Sequence, residues 1–473
     1  MTLKKECEKM ENIHIKNFKG GHVHFIGIGG ISMSGLAEIL LLKGYRVSGS
    51  DMKDSPILHH LSQKGATVHI GHQASNVEGA DLIVYTAAVK EDNPEMIEAA
   101  KRQIPKMDRA TLLGQIMQTY SHAVAVAGTH GKTTTTSMLS TIMLNAQLDP
   151  TILVGGELDT IGGNVRVGNS SYFITEACEY VDSFLKFHPT MAVILNIEED
   201  HLDYFKDIHQ IYESFLKFAS LVPRKGTVIG CGDDPLVRRL MENLDSHTIT
   251  FGIKEKCDWM ARNITFDELG CATFRAVYKD QDMGYFTLRV PGIHNVYNAL
   301  ASAAAGWAMG ISRMVIQDSL SSFHGTHRRF EIKGERDGVT VIDDYAHHPT
   351  EIKATLATLQ NYPHKRAWCV FQPHTYSRTK ALFQNFAEAL SGVDEIIITD
   401  IYAAREKDTG EVHSRDLAAA VSEKGQRCIY ISSFDEIVEY LDSRAEEGDV
   451  ILTMGAGNVV EIGEKFLNAK RAD

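Results

Sequence analysis

The chain has 473 residues, which at roughly 150 residues per domain implies three domains. With 44% hydrophobic residues, 23% charged residues and 11 prolines, it is neither a disordered nor a fibrous protein. A formal charge of −13 argues against general affinity for nucleic acid or an anionic membrane.

Residues 1–19 are mixed and charged and lack the apolar core of a secretion signal. Residues 23–26 are predicted as a strand, 27–30 as a tight turn and 32–43 as a helix. Further strands at 47–50, 68–70 and 82–85 alternate with helical stretches, the pattern of a parallel sheet. This first Rossmann-like unit is bounded at 1–121. A second unit, 122–325, opens with a strand at 122–127, crosses a glycine-rich loop and enters a helix at 133–145. Strands at 173–175 and 192–195 and an alanine-rich helix at 294–309 follow. The third unit, 326–473, alternates through strands at 339–342, 367–371, 395–399, 428–431 and 450–453. The fold class expected is α/β in three domains: Rossmann-like, P-loop ATPase-like and Rossmann-like again. No apolar run approaches the roughly 20 residues that cross a bilayer, so a soluble, cytoplasmic protein without membrane insertion is expected. Seven cysteines (Cys7, Cys178, Cys231, Cys257, Cys271, Cys369, Cys428) are widely spaced and form no Cys-x-x-Cys pair, which reads as reduced thiols.

The strongest motif is Gly128-Thr129-His130-Gly131-Lys132-Thr133-Thr134, between a predicted strand and a predicted helix. Such a turn aims several backbone N–H groups at a phosphate; Lys132 adds the countercharge and Thr133 offers a hydroxyl to magnesium. Val126 stands where the longer eight-residue pattern has its first glycine, so this is a shorter Gly-x-x-Gly-Lys-Thr form. A chance Gly-Lys-Thr is the bland alternative, but strand, turn and helix agree on function.

The turn Gly27-Ile28-Gly29-Gly30-Ile31-Ser32 is a weaker signal, because Ser32 replaces the third glycine of a dinucleotide fingerprint. Asp51, at the end of the next strand, stands about where that fingerprint has its ribose-binding acid. Binding of a nucleotide diphosphate competes with a turn that merely packs a helix. Glu176, Glu179, Glu198, Glu199, Asp200, His201 and Asp203 suit a divalent cation bridging ATP phosphates, or equally a solvated acidic loop. The segments 342–349 and 372–378 follow predicted strands; Arg378 can fork to a small carboxylate, while Asp and His side chains can orient an amine or a ribose.

Together these segments resemble the Mur ligases, ATP-dependent amide-forming enzymes that build the peptide stem of the bacterial cell-wall precursor, over nearly the whole chain. Residues 27–37, 128–134, 323–331, 344–351 and 371–374 are similar to members that join L-alanine to the lactyl carboxylate of UDP-N-acetylmuramate. The resemblance implies a UDP-sugar at Gly27, Gly29, Gly30, Ser32, Ser50 and Asp51 of the first domain. It implies ATP at the phosphate loop, with Asn295 and Asn298 on the adenine side, Arg329 on a phosphate, and Asp344. L-alanine is implied at Tyr345, His347 and Arg378, and magnesium at Thr133, Glu179 and His201, with Lys132, His201, Arg329 and His347 as the catalytic set. Thr375 replaces an arginine of several relatives, and Phe215 aligns near a carbamylated lysine of many others, with Lys217 nearest, so no carbamate is expected.

The implied reaction activates the lactyl carboxylate as an acyl phosphate, which the amine of L-alanine displaces. Only small-molecule partners and a monomer or homodimer are expected. A recycling ligase that attaches a preformed peptide to the same sugar nucleotide differs in its third-domain pocket. An NAD-dependent oxidoreductase leaves the phosphate loop idle, and a nucleotide-regulated binding protein shows no substrate-dependent turnover.

Overall fold

The computed structural model describes residues 13–86, 88–404 and 406–469; Cys7 lies outside them. The first sheet contains β1 (His22–Ile26), β2 (Arg46–Asp51), β3 (Thr67–Ile70), β4 (Leu82–Tyr85) and β5 (Lys106–Asp108), in the order β3-β2-β1-β4-β5. All four pairings are parallel. The strand order reverses between β1 and β4, which opens a crevice at the carboxyl ends of the strands, where ligands of such sheets bind.

The central sheet contains β6 (His122–Ala127), β7 (Thr151–Leu158), β8 (Gly163–Arg166), β9 (Tyr172–Ala177), β10 (Met191–Ile194), β11 (Thr227–Cys231), β12 (His247–Gly252), β13 (Trp259–Phe266), β14 (Cys271–Tyr278) and β15 (Gln281–Pro291). Their order is β15-β14-β13-β12-β11-β10-β6-β9-β7-β8. Because β6 lies between β9 and β10, the loops leaving all three emerge side by side, which gathers the phosphate loop, Glu179 and the 195–203 segment. The sequence reading did not anticipate the antiparallel extension β13–β15 or the β7–β8 hairpin. In β15 buried residues such as Phe286, Leu288 and Val290 alternate with exposed Thr287 and Arg289, a half-polar pattern easily taken for loop.

The third sheet holds β16 (Glu331–Arg336), β17 (Val339–Asp344), β18 (Ala367–Phe371), β19 (Glu395–Ile398), β20 (Cys428–Tyr430) and β21 (Val450–Met454), in the order β16-β17-β21-β18-β19-β20, with β16 antiparallel to β17.

The seams differ in chemistry. One continuous apolar cluster includes Leu36 and Leu113 of the first unit together with Leu153, Phe184 and Phe187 of the second. Gly35, in the helix Ile31–Leu42, lets that helix close on β7, because a Cβ there would overlap Leu153. The third sheet has separate cores. Phe215 lies in the first cluster, edge-on to Phe184 at 5.3 Å between ring centroids. Among the described residues no helix is long and apolar enough to cross a membrane, and the six described cysteines are free.

Candidate active site

Gly131 adopts φ +82° as the N-cap of the helix Lys132–Asn145 and approaches Asn298 and Leu195 so closely that a Cβ would strike both. Lys132 Nζ curls back on the loop, donating to Gly128 O and, at 3.0 Å, to Thr129 O, and pairs with Glu179 Oε2 at 3.2 Å. Burial opposes the ammonium charge, but Glu179, with Cys178 and Glu176 nearby, holds the Lys132 pKa above its ordinary value. Burial pushes the Cys178 thiol up to about 11, which leaves it protonated.

Glu179 is 2% exposed, and its Oε1 is buried without a hydrogen-bond partner. A lone buried carboxylate oxygen is a ligand atom that a hard cation takes, so Glu179 suits magnesium; Thr133 and His201 are the other ligands expected from the sequence. His201 has φ +52°, lies 4.6 Å from the Tyr180 ring, and has its pKa lowered by burial, which favours the neutral, ligand-competent imidazole.

A second group, His130, Glu198 and His348, brings ligand atoms within 4.8 Å of one another. The nitrogens of His348 are already committed: Nε2 donates to Glu199 O at 3.0 Å and Nδ1 accepts from Thr350 N at 3.3 Å. His130 Nδ1 lies 3.3 Å from Glu351 Oε1 and its Nε2 lies 3.5 Å from Glu198 Oε2. Burial works against its charge, yet these two acids raise its pKa to about 9. The group is therefore an imidazolium between carboxylates, with no lone pair to offer a metal.

A cavity of about 470 Å³ beside the phosphate loop is lined by His130, Gly131, Thr134, Asn295, Asn298, Arg329 and Asp344 of the expected nucleotide residues. Gly128, Thr129, Lys132 and Thr133 are not part of that lining. Asn298 accepts from Thr135 Oγ1 at 3.2 Å and donates to Asn295 Oδ1 at 3.0 Å, which ties the helix Ile293–Ala308 to the phosphate-loop helix. Burial raises the Asp344 pKa to about 6, while Phe330 N and Ala346 N both donate to its carboxylate at 2.8 Å. Glu351 was quoted in the sequence motif but given no role. It is the hub of the site, within 4.0 Å of His130, Arg329 and His347. Burial raises its pKa but the neighbouring cations hold it well below the ordinary range. Tyr297, whose hydroxyl donates to Asp233 at 2.8 Å on the rim of the cavity, also went unrecognised, since an aromatic in an apolar helix looks like core.

A second cavity, of about 240 Å³, joins His201 and Asp200 of the central unit to Tyr345, His347 and Arg378 of the third. Burial lowers the His347 pKa to about 4, and its Nδ1 lies 3.0 Å from Tyr345 O. The expected free fork of Arg378 is corrected: Nε and Nη2 both donate to Asp200 Oδ1, at 3.1 and 3.0 Å. Burial raises the Asp200 pKa, but Arg378 keeps that carboxyl well below its usual range.

The first domain needs two corrections. Ser50 is fully buried; its hydroxyl donates to Glu95 Oε2 at 2.6 Å and lies 2.9 Å from His72 Nδ1, so it braces the turn from behind. Asp51 does not present a free acid to a ribose, because its Oδ2 accepts from Gly29 N at 2.9 Å and its Oδ1 from Met52 N at 2.8 Å. Gly27, Gly29 and Gly30 form the turn that follows β1, and Ser32 lies in the first turn of the helix Ile31–Leu42.

A helix-capped phosphate loop, a nucleotide-sized cavity on one side and a small polar cavity on the other define an enzyme that couples a nucleotide to a second substrate. The chain matches the Mur ligase family catalytic domain over residues 22–121, the Mur ligase middle domain over 126–306 and the Mur ligase glutamate ligase domain over 328–457. It belongs to the Mur ligase family and is an ATP-dependent ligase. A UDP-N-acetylmuramate–L-alanine ligase of Caldanaerobacter subterraneus subsp. tengcongensis is 57% identical over 97% of this chain and 99% of its own. The crystal structure of the UDP-N-acetylmuramate-alanine ligase MurC from Thermotoga maritima superposes with a TM-score of 0.81 at 28% identity, covering 94% of this chain and 98% of that one. A murein peptide ligase from Psychrobacter arcticus gives 0.72 at 26% identity, over 95% and 98%.

Proposed function

We propose that this chain joins L-alanine to the lactyl carboxylate of UDP-N-acetylmuramate, cleaving ATP to ADP and phosphate, in peptidoglycan precursor synthesis. The supporting observation is the cavity of about 240 Å³ where the phosphate-loop domain meets the third domain, lined by Tyr345, His347 and Arg378 beside His201 and Asp200. The sugar nucleotide belongs on residues 1–121, ATP on 122–325 and L-alanine on 326–473.

A carboxylate cannot expel oxide, so it must first gain a better leaving group. The lactyl oxygen attacks the γ-phosphorus of ATP, the bond to the β–γ bridging oxygen breaks, and ADP departs. The amine of L-alanine, its ammonium proton given up to water, then attacks the acyl carbon; the acyl C–O bond breaks, and the departing phosphate carries off the second amine proton. Lys132 and protonated His130 offset charge on the transferring phosphoryl group. Arg329 adds a cation at the edge of the same cavity. Thr133, Glu179 and His201 would hold magnesium, which would supply further neutralisation of the phosphates. With a pKa of about 4, His347 is a poor proton acceptor at neutral pH, so it orients the amine as a neutral hydrogen-bond acceptor. Tyr345 and Arg378 complete the amino-acid pocket. Reacting atoms must approach within about 3.5 Å, which requires the domains to close.

ADP release measured with ATP, magnesium, UDP-N-acetylmuramate and each amino acid or peptide in turn tests the reading. Release that depends on L-alanine is expected. Faster release with a preformed tripeptide would establish a recycling ligase instead, and no amine-dependent release would refute both.

A further inference from the structure

Arg109 opens the helix Arg109–Met117 directly after β5. Its Nη1 donates to Ser32 Oγ at 2.9 Å, so the side chain crosses from the β5 edge of the first sheet, past the β1/β4 reversal, to the glycine turn. The residue is only partly exposed. No described carboxylate lies within 4.0 Å of its guanidinium nitrogens. Asp108 stands next in sequence but is occupied: Oδ1 caps Ala110 N and Thr111 N, while Oδ2 takes Thr111 Oγ1 at 2.6 Å and Lys186 Nζ at 2.8 Å. Of five N–H donors, one has a partner within the described protein.

The position is fixed from the central unit. A Cβ on Gly114 would overlap Lys186 O, so the Arg109 helix is pressed against the Tyr180–Lys186 segment, and Asp108–Lys186 closes the same seam. That segment begins one residue after Glu179, and Cys178 lies within the electrostatic reach of Arg109. The guanidinium thus stands between the glycine turn and the phosphoryl-transfer machinery. An arginine withdrawn from water without a counter-ion is unfavourable until an anion arrives.

We propose that Arg109 is a substrate-binding residue that receives an oxyanion of the sugar nucleotide, its diphosphate or its lactyl carboxylate, at the seam of the first and central domains. This rests on the function proposed above. Binding of UDP-N-acetylmuramate, UDP-N-acetylglucosamine and ADP to the full chain is measured by titration calorimetry for the wild type, Arg109→Gln and Arg109→Lys. UDP-N-acetylglucosamine shares the diphosphate but lacks the lactyl carboxylate. Arg109→Gln is expected to weaken UDP-N-acetylmuramate by about tenfold or more, Arg109→Lys to restore part of the loss, and ADP affinity to stay unchanged. An equal loss for both sugars identifies the diphosphate, and a loss confined to UDP-N-acetylmuramate identifies the carboxylate. In turnover, KM for UDP-N-acetylmuramate should rise while KM for ATP and L-alanine does not. UDP-N-acetylmuramate affinity within twofold of the wild type, or a parallel loss of ADP affinity and thermal stability, would overturn the assignment. A wild type that fails to bind UDP-N-acetylmuramate would overturn the function itself, and this role with it.

Discussion

Glu351→Gln perturbs the charge assembly at its centre. One oxygen of Glu351 lies 3.3 Å from His130 Nδ1 and the other 3.3 Å from His347 Nδ1. With Glu198 on its far side, His130 has a pKa of about 9 against an ordinary 6.5, which corresponds to ~3 kcal/mol in favour of the protonated ring. The His130 side chain is 13% exposed, so solvent screening is modest. The lowered pKa values of Glu351 and Glu198 express the same attraction from the acid side and are not added to it. Because the folded pKa is raised, this stabilisation is complete below pH 6.5, declines between 6.5 and 9, and is absent above 9. Removing one of the two acids should lower the His130 midpoint by more than half of its elevation, because burial then works against a single carboxylate. Histidine 13C NMR titration measures it, with the resonance identified by its loss in His130→Gln. In denaturant unfolding, the stability gap between wild type and His130→Gln should shrink by ~3 kcal/mol between about pH 6 and pH 9.5. A wild-type midpoint near the ordinary value, or one that Glu351→Gln leaves unmoved, refutes the reasoning.

Lys132→Ala should abolish ADP release, since it removes the phosphate countercharge and leaves Glu179 without its ion-pair partner; UDP-N-acetylmuramate binding should persist, and near-normal turnover would refute the role. Gly114→Ala forces a methyl group onto Lys186 O at the apolar seam and should lower stability by about 1–3 kcal/mol, read by thermal denaturation. Arg378→Ala strips Asp200 of its counter-ion in a pair whose side chains are 10% and 9% exposed. That should cost about 3–5 kcal/mol and raise the L-alanine requirement. An unchanged amino-acid dependence would remove Arg378 from the pocket.

What the sequence revealed follows from the range over which each signal acts. The phosphate loop was legible because strand, glycines and helix start lie within a dozen residues, and the helix Lys132–Asn145 begins within one residue of its expected start. The buried parallel strands were legible from apolar runs such as β6 and β18. The β13–β15 extension was not, because its exposed face carries Thr, Arg and Gln. Nor did any local pattern reveal that Ser50 turns inward to Glu95, 45 residues away, or that Arg378 meets Asp200 across 178 residues. Both residues carried polar groups at strand or helix ends, where a ligand is the natural expectation; the competing protein partner lies far off in sequence. Glu351 was hidden for a similar reason, because its cationic neighbours His130 and Arg329 come from two other segments of the chain.

The two seams assign different mobilities to the outer domains. The first domain shares a continuous apolar core with the central one, a non-directional contact whose separation would expose a large apolar area. The third is held to the central domain through consecutive polar residues: Thr350 Oγ1 donates to Glu198 at 2.6 Å, His348 Nε2 to Glu199 O, and Arg378 to Asp200, with His130 meeting Glu351 alongside. Each of these groups can exchange its partner for water, so the seam can open at modest cost and re-form in one register. Backbone strain lies on both of its sides, at His201 with φ +52° and at Thr375 with φ +65°, the latter an unfavourable conformation for a β-branched residue. Since both residues line the small cavity, closure sets the geometry of the pocket proposed for the amino acid and, on that proposal, excludes water from the acyl phosphate. The Glu198–Asp200 grip therefore couples arrival of the third domain to assembly of the small cavity, whereas the apolar seam keeps the crevice of the first sheet in fixed register with the phosphate loop.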